Sequence, residues 1–402
     1  MNSWRVPYPK FGDGPALERI SVIARRLGLD LAGFGQTGAV IVGSNGKGST
    51  AAMCAALLRQ SGARVGLFTS PHLMALNERF NIDGEDISDA ALAHHWARVQ
   101  AAVAAEALGA KLGGFEFLFL IAADWFAAEG CAHTVWEAGL GGRLDPVRLI
   151  AARRLALTSL DLEHTALLGD TLEAIAREKI EAAPKGAKLF FPETPVRAAI
   201  EAHCDVLGIQ AVFTSPAADA FMAGAHQKSN AGLAIALARD AALLGEAQVR
   251  AGLAATRWPG RLEVLQRDPL LVIDAGHTPA AIAAALEGFA ELAGARARVL
   301  ICGASADKDW AGMIAALAPA FPLIIAAAAA HKGAPVAEIA KAAAAANPAA
   351  KIVIAESVAD ARAIALARAG ENGAIYVAGG LFLAAEARAL HLGREPGALY
   401  FF

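Results

Sequence analysis

What is scarce in this chain narrows its class before any motif is read. The four cysteines, Cys54, Cys131, Cys204 and Cys302, are widely separated and form no CxxC pair, so neither a zinc site nor a disulfide framework is indicated. Aromatic residues fill only 6% of the 402 positions, too few for the stacking platforms that hold single-stranded nucleic acid. Positive charge is in no surplus: the formal net charge is −3, and no nucleic-acid partner is expected. The opening stretch, MNSWRVPYPKFGDG, has no apolar run of the kind a secretory leader carries. One uncharged run, residues 310–330, is long enough to span a bilayer, yet Pro319 and Pro322 interrupt it and much of it is alanine. A helix, a proline turn and a buried strand are expected there instead. The expected setting is the cytoplasm, without membrane contact.

What the chain does have is 56% apolar residues in a repeating order of apolar runs and helical patterns. That alternation is the signature of α/β domains with mainly parallel sheets. Strands are expected at residues 39–42, 65–69, 134–137, 155–159, 188–191, 270–274, 299–303, 322–327, 351–355 and 374–378. Alanine-rich helical segments such as 230–244 and 279–292 lie between them, and alanine favours helix. The sequence TRWPGRLEVL breaks a helical region with Trp258, Pro259 and Gly260 before a new strand–helix series begins. The expected division is residues 1–255, a linker at 256–261, and residues 262–402.

The stretch GSNGKGST, residues 43–50, follows an apolar run and precedes a helix. Its glycines let backbone N–H groups converge on an anion, and the helix adds its positive end. Lys47 offers a point charge to phosphates, and Ser49 or Thr50 a hydroxyl for Mg²⁺. The spacing is two residues shorter than the strict nucleotide loop, so a plain strand–turn–helix connection stays open. Glu137, at the end of a strand and before a glycine turn, reads as a Mg²⁺ ligand or as a solvent-facing carboxylate. His164 follows a strand at the edge where open sheets bind ligands, and reads equally as a hydrogen-bonded loop residue. Lys179 is expected to be a helix-surface lysine paired with a nearby Glu. Asp274 suits ribose hydroxyls or a helix N-cap. Asp307, Lys308 and Asp309 follow another strand in the same way. Such positions at strand ends imply a cleft between the domains.

Taken in order, GSNGKGST, TSPHLMALNERFNIDG, GFEFLFLIAADWF, EAGLGGRLD, LEHTALLGDTLEAIAREK, WPGRLEVL, DAGHTP, GASADKD and VAGGLFLAAEAR resemble the folylpolyglutamate synthase/dihydrofolate synthase family of Mur-type ligases. The resemblance implies an α/β fold: a P-loop-containing, Mur-ligase-type central domain with a parallel-rich sheet, plus a smaller Rossmann-like C-terminal domain. It implies ATP and Mg²⁺ as cofactors, with L-glutamate and dihydropteroate or a folate as substrates of a monomeric enzyme. In such ligases ATP phosphorylates a carboxylate, and an amine displaces the phosphate. By the resemblance, Ser44, Asn45, Gly46, Lys47, Gly48 and Ser49 would line the phosphates, while Ser70, Glu137 and His164 would hold magnesium. Lys179 would match a lysine that is carbamylated in the family. Asn230, Arg261, Asp274 and His277 would grip ATP from the other side. Phe115, Glu116, Leu144, Asp145 and Pro146 would border the acid.

Some residues depart from the family pattern. Pro146, Val147 and Arg148 replace the usual Ala-Thr-Asn, Thr278 replaces an Asn, and Glu163 precedes His164 where Asp is usual. A paralogous ligase acting on another acid is therefore the alternative. A P-loop NTPase without ligase activity and a catalytically inactive binding module rank below it.

Overall fold

The computed structural model describes residues 4–13 and 16–401. Met1–Ser3 and Gly14 of the opening stretch lie outside the described residues. Two sheets organise the chain. The first contains β1 (Ala39–Val42), β2 (Val65–Phe68), β3 (Phe80–Ile82), β4 (Glu85–Asp86), β5 (His133–Glu137), β6 (Arg154–Leu157), β7 (Lys188–Phe191) and β8 (Gln210–Phe213), in the order β4-β3-β2-β5-β1-β6-β7-β8. Strands from β2 to β8 run parallel, and β3 and β4 add an antiparallel hairpin at one edge. The second contains β9 (Glu263–Arg267), β10 (Leu270–Ile273), β11 (Arg298–Cys302), β12 (Leu323–Ala326), β13 (Lys351–Ile354) and β14 (Ala374–Ala378), in the order β13-β12-β11-β14-β10-β9. Only its edge strand β9 is antiparallel.

The strands are apolar throughout because both faces of each sheet are covered, which removes the alternation of a half-exposed strand. In β1, Val40 and Val42 enter one core while Ala39 and Ile41 enter the opposite one. In β10, Leu270 and Val272 face one side and Leu271 and Ile273 the other. Small residues let helices close on these layers: a Cβ on Gly252, in helix Glu246–Ala255, would lie 2.9 Å from Leu57 Cα of helix Lys47–Arg59. The second unit is fastened to the first by Leu73 and Met74, which pack in its core. Residues 256–262, between helix Glu246–Ala255 and β9, carry no regular element.

All ten expected strands are present. Those not foreseen are short or lie at an edge: β3 and β4 meet at Asp83 and Gly84, both with positive φ as a two-residue hairpin turn needs. The run at 310–330 folds as helix Trp310–Leu317, turn Ala318–Ala320 and strand β12, and among the described residues no helix is long and apolar enough to cross a membrane.

Glu116 corrects an expectation. It sits in the first turn of helix Gly114–Ala128, where its carboxylate accepts from Arg19 Nε and Nη2, both at 2.5 Å, and from the Gly113 N–H at 3.2 Å. With both partners buried, this group caps the helix and pins the first helix, Ala16–Leu27, rather than facing an acid substrate. Removing one member strands a buried charge. Glu116→Ala is therefore expected to lower stability by about 3–5 kcal/mol, read from the first urea transition. A change below about 1 kcal/mol would be the ordinary value for an exposed pair and would contradict the structural role.

Candidate functional site

The glycine loop leaves the C-terminal end of β1, beside the ends of β2, β5 and β6, where strand order reverses. Its path is held by β6 and the residues after it. Ser44 N–H donates to Ser159 O at 2.8 Å, Asp161 N–H donates to Ser44 Oγ at 3.0 Å, and Thr158 Oγ1 donates to Asn45 O at 2.7 Å. Gly46 is left-handed (φ 87°) as it caps helix Lys47–Arg59, and a Cβ there would lie 2.5 Å from Asn230 Oδ1. Gly48 is just as confined, for a Cβ would lie 2.7 Å from the Trp258 ring. Asn230 and Trp258 thus close on the loop from opposite segments. Asn230 Nδ2 donates to Gln227 Oε1 at 2.9 Å, and Gln227 Nε2 donates to Ser49 Oγ at 3.4 Å.

Two ammonium groups meet at this loop. Lys47 Nζ donates to Gly43 O and Ser44 O, both at 2.9 Å, and Lys179 Nζ donates to the same Gly43 oxygen at 3.0 Å. Lys179 is 2% exposed, so the expected helix-surface lysine is overturned. The reason lies in helix Leu172–Ile180: Ile175, Ala176 and Ile180 turn inward, and Lys179 shares that inward side. Its paired acid, Glu163 Oε1 at 3.3 Å, does exist, but comes from the loop before the helix. Burial, then the Lys47 charge, pushes the Lys179 ammonium down to about 8. Burial raises the Glu163 carboxyl, but Lys47 and Lys179 outweigh it, and its proton is held less tightly than usual.

Glu137 ends β5, and its Oε2 accepts the Ser70 N–H at 3.0 Å. Burial raises its proton affinity against the opposing pull of Lys47, Arg261 and Arg79. A cleft of about 290 Å³ opens here between the two units, with Gly48, Ser70, His72, Glu137, Trp258 and Arg261 among its lining residues. His72 accepts from Arg79 Nε at Nδ1 (2.9 Å), so its other nitrogen carries the proton donated to Tyr400 O at 2.7 Å. Burial and Arg79 push that imidazole down to about 3, so it stays neutral at pH 7.

The opposite wall belongs to the second unit. Asp274 accepts from Gly276 N–H at 2.7 Å and Leu262 N–H at 3.0 Å, which secures the turn that carries Arg261. Its carboxyl is raised by burial and drawn back by Arg261. His277, pushed down to about 4 by burial and the Lys308 charge, is neutral. Helix Pro279–Ala293 is capped by Thr278, not Asp274.

The residues expected at the acid divide. Phe115 is half-buried, its ring 5.7 Å from that of Phe68 and tight against Gly139. Leu144 is exposed. Asp145 instead organises the turn: it accepts from the N–H groups of Gly139, Leu140 and Val147, and burial pushes it up to about 6. Pro146 is buried beside it. His164 is exposed in a left-handed conformation. No group of three His, Cys, Asp or Glu among the described residues forms a metal cage. Glu137 and the Ser70 hydroxyl are nevertheless hard oxygen donors beside the loop, the sparse set that suits Mg²⁺ carrying phosphate and water.

His72, Arg79 and Gln227 carry no mark in the sequence, and Glu163 and Trp258 are marked there only as a family departure and a domain break. Trp258 had a signal: a large aromatic inside a Pro-Gly break has to pack on something.

The chain is similar to known proteins over most of its length. Residues 260–381 match the family model described as Mur ligase, glutamate ligase domain. A dihydrofolate synthase/folylpolyglutamate synthase of Escherichia coli is 32% identical, over 74% of each chain. A probable bifunctional folylpolyglutamate synthase/dihydropteroate synthase of Halobacterium salinarum is 34% identical, over 94% of this chain and 50% of the relative. The chain thus spans half or less of the length of two folylpolyglutamate synthase/dihydropteroate synthase relatives, from Halobacterium salinarum and Haloferax volcanii. Among solved structures, Mycobacterium tuberculosis folylpolyglutamate synthase complexed with ADP and AMPPCP superposes with a TM-score of 0.85 at 28% identity, covering 95% of this chain and 96% of the other. E. coli FolC in complex with DHPP and ADP gives 0.85 at 26% identity, covering 96% and 95%. Fold and site define a two-unit, P-loop α/β protein of the Mur ligase class. The chain belongs to the folylpolyglutamate synthase/dihydrofolate synthase family.

Lys179 carries a stability cost that pH can expose. Its folded value near 8 lies below the ordinary 10.5, a gap corresponding to about 3 kcal/mol. A lowered lysine is destabilising at full strength below pH 8, and the cost fades as pH rises to 10.5. Lys179→Met is expected to keep or raise the thermal midpoint at pH 7 and to flatten the wild-type rise above pH 8. A clear fall in midpoint at pH 7 would show that the ammonium contributes net stability.

Proposed function

We propose that the chain is an ATP-dependent, ADP-forming ligase that adds L-glutamate to dihydropteroate, to folates, or to both, through an acyl phosphate. The observation that carries this reading is the convergence of Lys47 and Lys179 on the Gly43 carbonyl, next to Glu137 and inside a cleft shared by two units. In this reading residues 1–255 bind ATP and the acid, 256–261 link, and 262–402 bring glutamate. In this reading the ligase is a monomer working in the cytoplasm.

A carboxylate resists attack because resonance removes its carbonyl character. Phosphoryl transfer converts one of its oxygens into a leaving group. Such transfer needs alignment and charge neutralisation more than a protein nucleophile. The N–H groups of residues 44–49 and the start of helix Lys47–Arg59 bind phosphate oxygens, and Lys47 would leave the loop carbonyls for them. Asn230 and Arg261 border the nucleotide from the other side, with Asp274 and His277 holding that wall. Ser70 and Glu137 would hold magnesium, which supplies positive charge to the phosphates when bound. Phe115 and Leu144 offer apolar surface to a pterin. Closure of the cleft keeps water from the acyl phosphate.

Lys179 has a further part in this reading. Carbamylation needs a neutral amine, and a group near 8 provides far more of it at pH 7 than an ordinary lysine. The carbamate would turn a repelling cation into an anion that balances Lys47. Activity is expected to rise when bicarbonate is restored to depleted enzyme, and to be insensitive to bicarbonate in Lys179→Ala at a rate reduced at least 100-fold. Unchanged activity in the variant would remove this role.

A second reading, ligation to a different acid, rests on Pro146, Val147 and Arg148: Pro146 and Val147 are buried, while the exposed Arg148 guanidinium donates to Arg143 O at 2.9 Å. One assay separates the two. Phosphate release is measured with ATP, Mg²⁺ and L-glutamate, adding dihydropteroate, dihydrofolate or tetrahydrofolate in turn. Release that requires both glutamate and a pterin acid is expected, and Lys47→Ala should lose about 10²–10³-fold of it. No stimulation by any pterin acid, in protein that binds ATP, would favour the other acid.

A further inference from the structure

The loop that carries Ser70 leaves the first sheet after β2, yet it is held by the second unit. Leu73 and Met74 pack in the second core. Glu78 gathers the N–H groups of Leu73, Met74 and Ala75 at 2.7–3.2 Å, which keeps that stretch folded as one piece. Glu137, by contrast, ends β5 of the first sheet. The Ser70 N–H and the Glu137 carboxylate therefore meet at 3.0 Å across a seam, with one partner anchored in each unit. Whatever holds the loop in place also holds this pair together.

Residues 399–401 lie against the same loop. Tyr400 O accepts the His72 Nε2 proton at 2.7 Å, and the Phe401 ring stacks on the His72 imidazole, centroids 6.0 Å apart and planes 11° from parallel. Arg79 Nε holds the other His72 nitrogen, so the ring cannot turn without losing both hydrogen bonds. Phe401 also reaches into the second unit, 4.6 Å from the ring of Phe382 and 5.2 Å from that of His331. Leu399 packs on the core that takes Leu73 and Met74. From the opening segment, the Arg5 guanidinium lies 5.8 Å from the Tyr400 ring. Burial of apolar surface alone would not need a main-chain carbonyl and a stacked ring on one imidazole, two residues from Ser70.

We propose that residues 399–401 form a strap across the two units, in which Phe401 and His72 are positioning residues that keep Ser70 at Glu137. The strap needs no contact with substrate: it acts by fixing the imidazole, and through it the backbone of residues 70–75. Its consequence for magnesium rests on the ligase reading above, in which Ser70 and Glu137 supply oxygen donors to one ion. Each aromatic pair shifts a local equilibrium by roughly two- to tenfold, so loss of the Phe401 ring, with its three partners, loosens the loop without unfolding the unit.

The test follows amide hydrogen exchange in the full chain without ligands, by mass spectrometry of peptides that cover residues 69–75. Phe401 is only partly buried, and folding of Phe401→Ala is checked by circular dichroism. The loop amides of this variant are expected to exchange about tenfold faster than those of wild type, with β11 and β14 unchanged. Phe401→Tyr, which keeps the ring, should restore slow exchange. Unchanged exchange in the loop, or an acceleration shared equally by the whole second unit, would overturn the strap. In the ligase assay, half-saturating Mg²⁺ should rise about threefold in Phe401→Ala, because a smaller fraction of the protein is ready to bind it. A lowered kcat at an unchanged Mg²⁺ requirement would overturn the link to Ser70. Failure of wild type to ligate any pterin acid would refute the ligase reading, while exchange in the loop would still decide the strap.

Discussion

Two lysine ammonium groups share a single carbonyl oxygen, and the strain of that arrangement organises the site around it. Lys47 and Lys179 both reach Gly43 O within 3.0 Å, with Arg79 and Arg261 acting on the same region. Glu137 and Glu163 answer only part of this charge. Like charges held together by a folded scaffold constitute a preorganised field, and in the proposed reading carbamylation of Lys179 or an arriving polyphosphate would relieve their repulsion. Everything that fixes Gly43 therefore bears on chemistry: β1 beneath it, Thr158 to Asp161 beside it, and helix Leu172–Ile180, which delivers Lys179 from below.

The same constraint explains why two units are needed. A loop at the C-terminal edge of a parallel sheet is open to water on one side. Here that side is faced by Trp258 against Gly48, Arg261 opposite Glu137, and Asp274 holding the turn between them. Leu73 and Met74, from the loop after β2, anchor in the second core, so the junction is packed as well as polar. An acyl phosphate formed in such a cleft is shielded from hydrolysis only while both walls are present.

Much of the cleft was legible in the sequence because tight turns at strand ends leave local marks. A glycine loop after an apolar run, a carboxylate at a strand end, and a Trp-Pro-Gly break are all visible without neighbours. The ten strands with covered faces were legible for the same reason, being unbroken apolar runs. Burial was not. Lys179 and Glu116 sit on helices whose charged residues read as solvated, and only the tertiary packing places one under the glycine loop and the other on Arg19. Strands β3, β4, β8 and β9 are short or polar edge strands, where pairing partners rather than residue type decide. Asp145 read as a border of the acid, whereas three converging backbone N–H groups made it the clasp of its turn.

The central claim is that the acid's own oxygen passes to phosphate at the Lys47–Lys179 centre. Dihydropteroate labelled with ¹⁸O in its carboxylate, ligated by the enzyme with unlabelled ATP and L-glutamate, tests this directly by mass spectrometry of the released phosphate. An acyl phosphate requires one labelled oxygen to leave with each phosphate. Unlabelled phosphate accompanying normal amide formation would contradict the account.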